Sequence, residues 1–197
     1  MKYHNIDQNS EEWFALRLGK FTTSTFKNLF SKETTIGYQK EINRVVFEVL
    51  TGKQPESFTN DYMQRGSELE PLAREAYEAE KLEIVQNGGF WEFDEWTGSS
   101  PDGLIGDDGV LEIKCPAFNT MIEYLTKQRL PSEYFYQVHG QMFVTGRQWC
   151  DFVAYHPDLP IFIKRIEASE EVNQQIREAL DKAIKQVQMK IDKIKNL

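Results

Sequence analysis

Ser99-Ser100-Pro101-Asp102-Gly103, followed after the turn Gly106-Asp107-Asp108-Gly109 by Leu111-Glu112-Ile113-Lys114-Cys115-Pro116, is the stretch that decides the fold of this chain. Side chains alternate between the two faces of a strand, so a strand over Val110 to Lys114 projects Glu112 and Lys114 to one side and turns Ile113 into the core. A hairpin closed at Gly106 to Gly109 returns the chain so that Asp102, ten residues before Glu112, lies near it. Two carboxylates and a lysine then converge. Mg²⁺ is a hard cation that takes oxygen ligands, and one or two carboxylates with phosphate and water oxygens complete its shell. Asp102 and Glu112 are the expected ligands, with the Ile113 backbone carbonyl as a third protein oxygen. Lys114 is placed to orient or help deprotonate an attacking water and to screen the charge that builds on the phosphorane. Each fragment alone has a plainer meaning, since ExK on an edge strand is usually a pair of solvated charges and Asp-Gly usually a turn. Their combination favours a site for phosphodiester hydrolysis.

The flanking sequence reads as helices around a small sheet. Ser10 before Glu11-Glu12-Trp13 is an N-cap, and Ser24 is expected to cap a short turn through Phe26, Leu29 and Phe30. Apolar positions at helical spacing predict a helix from Tyr38 to Leu50 closed by Gly52, and another from about Asp61 to Lys81 with Leu69, Leu72, Ala73, Ala76 and Tyr77 inward. The period then shortens. Ile84 to Phe93, Thr97 to Leu104 and Val110 to Lys114 read as a meander of strands broken at Gly88-Gly89, Gly98 and the Gly106 to Gly109 turn. Helices return at Phe118 to Lys127 and Glu133 to Thr145, and strands at Trp149 to Tyr155 and Ile161 to Ile166. A long amphipathic helix over about 169–194 carries Val172, Ile176, Leu180, Ile184, Val187, Ile191 and Ile194 along one stripe. Helices flanking a small mixed sheet define an α/β, or mixed α+β, class.

The 197 residues contain no repeat or linker and are read as a single domain, 1–197. With 23 Lys+Arg against 31 Asp+Glu the net charge is −8, which disfavours a general nucleic-acid coat held by phosphate contacts. The acidity is expected to lie away from any DNA path, with Arg17, Lys20, Arg65 and Lys114 lining it. No apolar run approaches the roughly 20 residues of a membrane span, and the N-terminus lacks a signal-peptide layout, so a cytoplasmic protein without membrane contact is expected. Cys115 and Cys150 form no CxxC pair, His4, His139 and His156 lack ligand spacing, and no GxSxG elbow or Walker loop occurs.

The pattern resembles the PD-(D/E)xK nuclease superfamily, and within it the phage lambda exonuclease and YqaJ-type viral recombinase group. Four separated blocks carry the likeness. They are Arg17-Leu18-Gly19-Lys20 with Thr22 to Ser24; Arg65-Gly66-Ser67-Glu68-Leu69-Glu70; the Ser100 to Leu104 and Leu111 to Pro116 pair; and Tyr134 to Gln137 with Met142 to Thr145. The region between Phe30 and Tyr38 departs from the pattern.

The resemblance implies a restriction-endonuclease-like core and a helix carboxylate, Glu70, that faces the metal site and either reaches a second metal through water or helps hold Lys114. Asp102, Glu112 and Lys114 match the ligands and catalytic lysine, Gln137 the glutamine near the active site, and Tyr134 the tyrosine one turn before it. Arg17, Ser24 and Ser100 correspond to a pocket for a terminal 5′-phosphate, and Trp13 and Met63 to apolar wedge residues that unpair the duplex end. The activity implied is a Mg²⁺-dependent 5′-to-3′ exonuclease on linear double-stranded DNA, using two ions with Mn²⁺ as a substitute. It would release mononucleotides and leave a 3′ strand for phage-type recombination. A homotrimer encircling DNA and a single-strand annealing protein are the implied partners. Two other classes compete. One is a related endonuclease, or exonuclease of other polarity, in DNA repair; the other is an inactive DNA-binding module, which the complete Asp102, Glu112 and Lys114 set disfavours.

Overall fold

The computed structural model describes residues 1–55 and 61–197. In chain order its elements are β1 (Lys2–His4), α1 (Glu11–Arg17), β2 (Phe21–Thr22), α2 (Phe26–Leu29), α3 (Ile36–Thr51), α4 (Asp61–Lys81), β3 (Val85–Gln86), β4 (Phe90–Glu92), β5 (Thr97–Ser99), β6 (Gly103–Ile105), β7 (Gly109–Lys114), α5 (Phe118–Lys127), α6 (Phe135–Thr145), β8 (Trp149–Ala154), β9 (Phe162–Glu167) and α7 (Glu170–Lys195). Single 3₁₀ turns cover Thr23–Thr25 and Ser132–Tyr134. The strands form two mixed sheets, ordered β1-β4-β5-β2 and β3-β6-β7-β8-β9. No helix among the described residues is long and apolar enough to cross a membrane.

β7 is the centre of the larger sheet. Its hairpin partner β6 pairs Gly103 with Leu111, and on the other side β8 runs parallel, pairing Glu112 with Phe152. A central strand has both faces covered, and the alternation of β7 divides between two cores. Val110 packs with Leu104, Cys150 and Phe152 under Met121, Val138 and Met142 of α5 and α6. Leu111 and Ile113 pack with Val153 against Ala73 and Tyr77 of α4. Glu112 shares the α6 face and is 1% exposed, so it is not a solvated edge charge.

α4 is tied to the opposite face by more than apolar contact. The Tyr77 hydroxyl donates to Asp151 Oδ2 at 2.8 Å, and Arg165 grips both oxygens of the same buried carboxylate. Asp151 pairs with Leu111 across β7 and β8, so this cluster fixes the helix bearing Glu70 against the strand bearing Glu112. The helix ends follow local chemistry. Ser10, Thr35 and Ser169 accept from backbone N–H groups of α1, α3 and α7, and Gly52 closes α3 at φ 66°. The α7 stripe buries Ile176, Leu180, Val187 and Ile191 together with Ala183, while Ile194 stays 46% exposed near the helix end.

The expected single meander does not form. Val85–Gln86 and Phe90–Glu92 belong to different sheets, as do Thr97–Ser99 and Gly103–Ile105. The chain crosses between sheets at Ser100-Pro101-Asp102, because Ser99 pairs with Trp91 whereas Gly103 pairs with Leu111. Gly88 makes the crossing possible: a Cβ there would lie 1.8 Å from the Pro101 carbonyl oxygen. Gly88→Ala is therefore expected to cost about 1–3 kcal/mol, as overpacking does, and to displace Ser100 and Asp102. Thermal denaturation checks this, and an unchanged midpoint would contradict it.

Candidate active site

The crossing segment and β7 meet in a cleft of about 410 Å³ lined by Gly66, Ser67, Glu70, Asp102, Ile113, Lys114, Cys115, Pro116 and Tyr134. Asp102 is aimed by backbone contacts on both sides. Its Oδ2 accepts from the Ile113 N–H at 2.7 Å, its own N–H donates to the Leu111 carbonyl at 3.0 Å, and its carbonyl accepts from Arg74. Arg74 lies one helical turn after Glu70, so the helix that presents Glu70 also holds the Asp102 turn.

Glu112 lies beneath α6. Its Oε1 receives Gln137 Nε2 at 2.5 Å and pairs with the Lys114 ammonium, and its Oε2 receives Gln141 Nε2. Burial, then the charge of Asp102, pushes Glu112 up to about 7. The same two causes push Glu70 up to about 7. Burial works against the Lys114 ammonium, but Glu112 and Asp102 outweigh it and raise its pKa. The Tyr134 ring lies 5.4 Å from Lys114 Nζ and packs on Phe152, forming one wall of the cleft.

A second group sits at the other end of the crossing segment. Ser100 Oγ accepts from Trp13 Nε1 at 2.8 Å and from Arg17 Nη1 at 3.3 Å. Arg17 Nη2 donates to Thr22 Oγ1 at 3.4 Å, and the Thr22 and Ser24 hydroxyls are also 3.4 Å apart. The Arg17 guanidinium stacks 4.0 Å over Trp13. Burial, and secondarily Arg44, lowers Arg17 to about 10, which leaves it charged at neutral pH. A cavity of about 680 Å³ borders Arg17 and Thr22.

The residues expected to bind metal, phosphate or the duplex end fall into these two adjoining groups, with Met63 excepted; the cations expected along the DNA path do not all follow. The side chain of Met63 lies outside the described residues. Trp13 is 8% exposed and packs within the Arg17 and Ser100 group. Ser24 does not cap α2: it sits inside the 3₁₀ turn, and its exposed hydroxyl faces Thr22 instead. Lys20 does not line an open path, since it is 8% exposed and bound to Glu92 and to the carbonyls of Asp94 and Glu95. Arg65 donates to the carbonyls of Cys115 and Pro116, bracing the end of β7. Gln141, Arg74 and Thr22 join the site without a motif of their own; the spacing of four from Gln137 and from Glu70 signals Gln141 and Arg74, and nothing local signals Thr22.

Among the described residues no three His, Cys, Asp or Glu side chains come together closely enough to enclose a metal by themselves. The donor set nonetheless fits Mg²⁺, which keeps several waters and needs only one or two carboxylates plus substrate oxygens. Two carboxylates raised to about 7 beside Asp102 are a concentration of negative charge that a divalent cation would relieve.

Glu112 and Lys114 on the central strand, Asp102 on the crossing segment beside them and a helix carboxylate opposite fit a nuclease of the PD-(D/E)xK fold. The family model of the YqaJ-like viral recombinase domain matches residues 12–148, and the chain belongs to that family. It is an alkaline-exonuclease-like deoxyribonuclease. The crystal structure of an alkaline exonuclease (LHK-Exo) from Laribacter hongkongensis is 39% identical with a TM-score of 0.89, over 95% of this chain and 97% of that one. The structure of LHK-Exo in complex with dAMP matches with the same values of 39% and 0.89, over the same 95% and 97%. A phage related exonuclease from Haemophilus somnus, 17% identical with a TM-score of 0.68 over 89% of this chain and 96% of that one, shares the fold. No curated protein matches the chain.

Proposed function

We propose that this chain is a Mg²⁺-dependent exonuclease that degrades the 5′-ended strand of linear double-stranded DNA, releasing mononucleotides and leaving a 3′ single strand for recombination by annealing. The observation that carries this reading is the crossing segment itself. Ser100, held by Arg17, and Asp102, beside Glu112, are two residues apart, a span of at most about 7 Å. That spacing supports a reading in which a donor pocket for a terminal phosphate and a metal site for the scissile one stand about one nucleotide apart.

Asp102, Glu112 and the Ile113 carbonyl would hold the metal, with Glu70 reaching a second ion through water. Bound there, Mg²⁺ or its substitute Mn²⁺ supplies polarisation of the scissile phosphate and acidification of a coordinated water. The raised pKa of Lys114 keeps its ammonium protonated. Lys114 therefore donates to the attacking water or to the phosphate oxygens rather than accepting a proton. Gln137 orients Glu112, and Tyr134 walls the cleft beside Lys114. Arg17, Ser100 and Ser24 receive the 5′-phosphate, and Trp13, which donates to Ser100 and stacks against Arg17, braces the two. The chain works as one domain in a cytoplasmic homotrimer around DNA, with a single-strand annealing protein taking the 3′ strand.

Digestion of end-labelled linear and closed circular DNA, with Mg²⁺ and with chelator, tests the reading. Loss of the 5′-ended strand from linear DNA alone is expected; cutting of circles or release of 3′ label first would overturn it. Arg17→Ala is expected to abolish a preference for 5′-phosphate over 5′-hydroxyl ends while leaving Mg²⁺-dependent chemistry in place. Arg17 supplies a charge-assisted fork that no hydroxyl replaces, so a loss of about 10-fold or more on phosphorylated ends follows from about 1.5–3 kcal/mol. Equal preference in wild type and variant would remove the pocket.

A further inference from the structure

Gln141 is fully buried on α6, one turn after Gln137 and on the same face of the helix. Gln137 and Lys114 meet Glu112 at Oε1, and Lys114 lines the cleft, so Oε1 is the oxygen on the cleft side. Gln141 Nε2 takes the other oxygen, Oε2, from inside the protein. The orientation of this amide is itself set: its Oε1 accepts from Cys150 Sγ at 3.9 Å. Burial raises the Cys150 thiol well above its ordinary pKa, so it stays an S–H donor. Cys150 lies on β8 opposite Val110, on the same sheet face as Glu112. The result is a relay of thiol, amide and carboxylate running from the core to the cleft.

We propose that Gln141 is a positioning residue for Glu112, turning one carboxylate oxygen into the protein and presenting the other to the metal. The inference rests on the reading of Glu112 as a metal ligand. An amide suits the task because it donates without cancelling charge. A lysine or arginine here would add a second cation to the one Lys114 already supplies and weaken the carboxylate's hold on a metal, and a second carboxylate would repel it. Outer hydrogen-bond partners that hold a ligand in place typically change metal affinity by 10- to 100-fold.

The test is Mn²⁺ binding to the metal-free protein without DNA, read by the electron paramagnetic resonance of the free ion, together with activity as a function of Mn²⁺ concentration. Gln141→Met keeps the volume and removes the donor. It is expected to weaken Mn²⁺ binding by about 10-fold or more, to raise the Mn²⁺ concentration needed for half-maximal activity in step, and to leave activity at saturating Mn²⁺ within a few-fold of wild type. Gln141→Asn keeps the polarity but shortens the reach, and it carries the same expectation if the methionine variant does not fold. Mn²⁺ affinity unchanged in a folded variant overturns the proposal, as does a loss confined to maximal rate. Glu112→Gln separates the two readings. If it binds Mn²⁺ as wild type does, Glu112 is not a ligand; if it loses binding while the Gln141 variants keep it, only the positioning role fails.

Discussion

Lys114→Ala is expected to lower hydrolysis of linear duplex DNA by about 100- to 1,000-fold, the usual cost of removing one donor aimed at charge developing in the transition state. Asp102→Ala should lose at least as much, because on the proposed reading it removes a metal ligand rather than a donor. Global unfolding should account for neither loss, although Lys114→Ala takes the ion-pair partner from buried Glu112 and should lower the melting midpoint. Lys114 lines the cleft, and the Asp102 side chain accepts from the Ile113 N–H. Asp102→Asn keeps that acceptor and separates the two roles: the fold should be retained with activity still lost. The measurement is release of labelled nucleotide at saturating Mg²⁺ beside a thermal melt of each variant. Near-normal Mg²⁺-dependent activity in Lys114→Ala or Asp102→Ala would sink the site assignment.

The sequence carried the part of this site that local rules govern. Alternation along Val110 to Lys114 put Glu112 and Lys114 on one face and Ile113 on the other, and the Gly106 to Gly109 turn returned Asp102 to them, as the hairpin register shows. What local rules do not govern was lost. Thr97–Ser99 and Gly103–Ile105 have the composition of one strand, and only their partners place them in different sheets. Lys20 was legible as a cation but not as one buried against Glu92, which stands 72 residues further along. Gln141 looked like any polar residue of an amphipathic helix, since nothing local says that a buried carboxylate from β7 waits beneath it. Expecting a solvated charge at an ExK strand fails for the same reason: exposure depends on whether the strand is central, and that is decided by β8, whose Trp149–Ala154 segment lies 35 residues beyond Lys114.

The metal-free protein is expected to lose stability as pH rises from about 4.5 to about 7, and divalent metal to restore it. Glu112 and Glu70 titrate near 4.5 in the unfolded chain and near 7 in the fold. Between those values the folded protein holds protons that the unfolded chain has released, so stability falls with rising pH. Below about 4.5 both states are protonated and there is no penalty; above about 7 the penalty is complete. For Glu112, only 1% exposed, a rise of this size corresponds to about 3 kcal/mol. Glu70, only part-buried, is raised first by its own burial and then by Asp102, and it adds to the slope in the same direction. A cation that binds the ionised pair reverses the sign of the problem. It stabilises the fold by mass action, most strongly above pH 7 where no proton competes, and below that pH its binding must release protons. Melting curves with chelator and with Mg²⁺ from pH 5 to pH 8 should diverge as pH rises. Calorimetric Mg²⁺ titrations near pH 6 in buffers of different ionisation enthalpy should show the proton release. In Glu112→Gln the chelated melt should lose the Glu112 share of its pH slope, with Glu70 keeping the rest, and the Mg²⁺ effect should shrink with it. Parallel melting curves across that range would mean that these carboxylates are already ionised in the fold, and the electrostatic case for a divalent ion at Asp102 and Glu112 would fall.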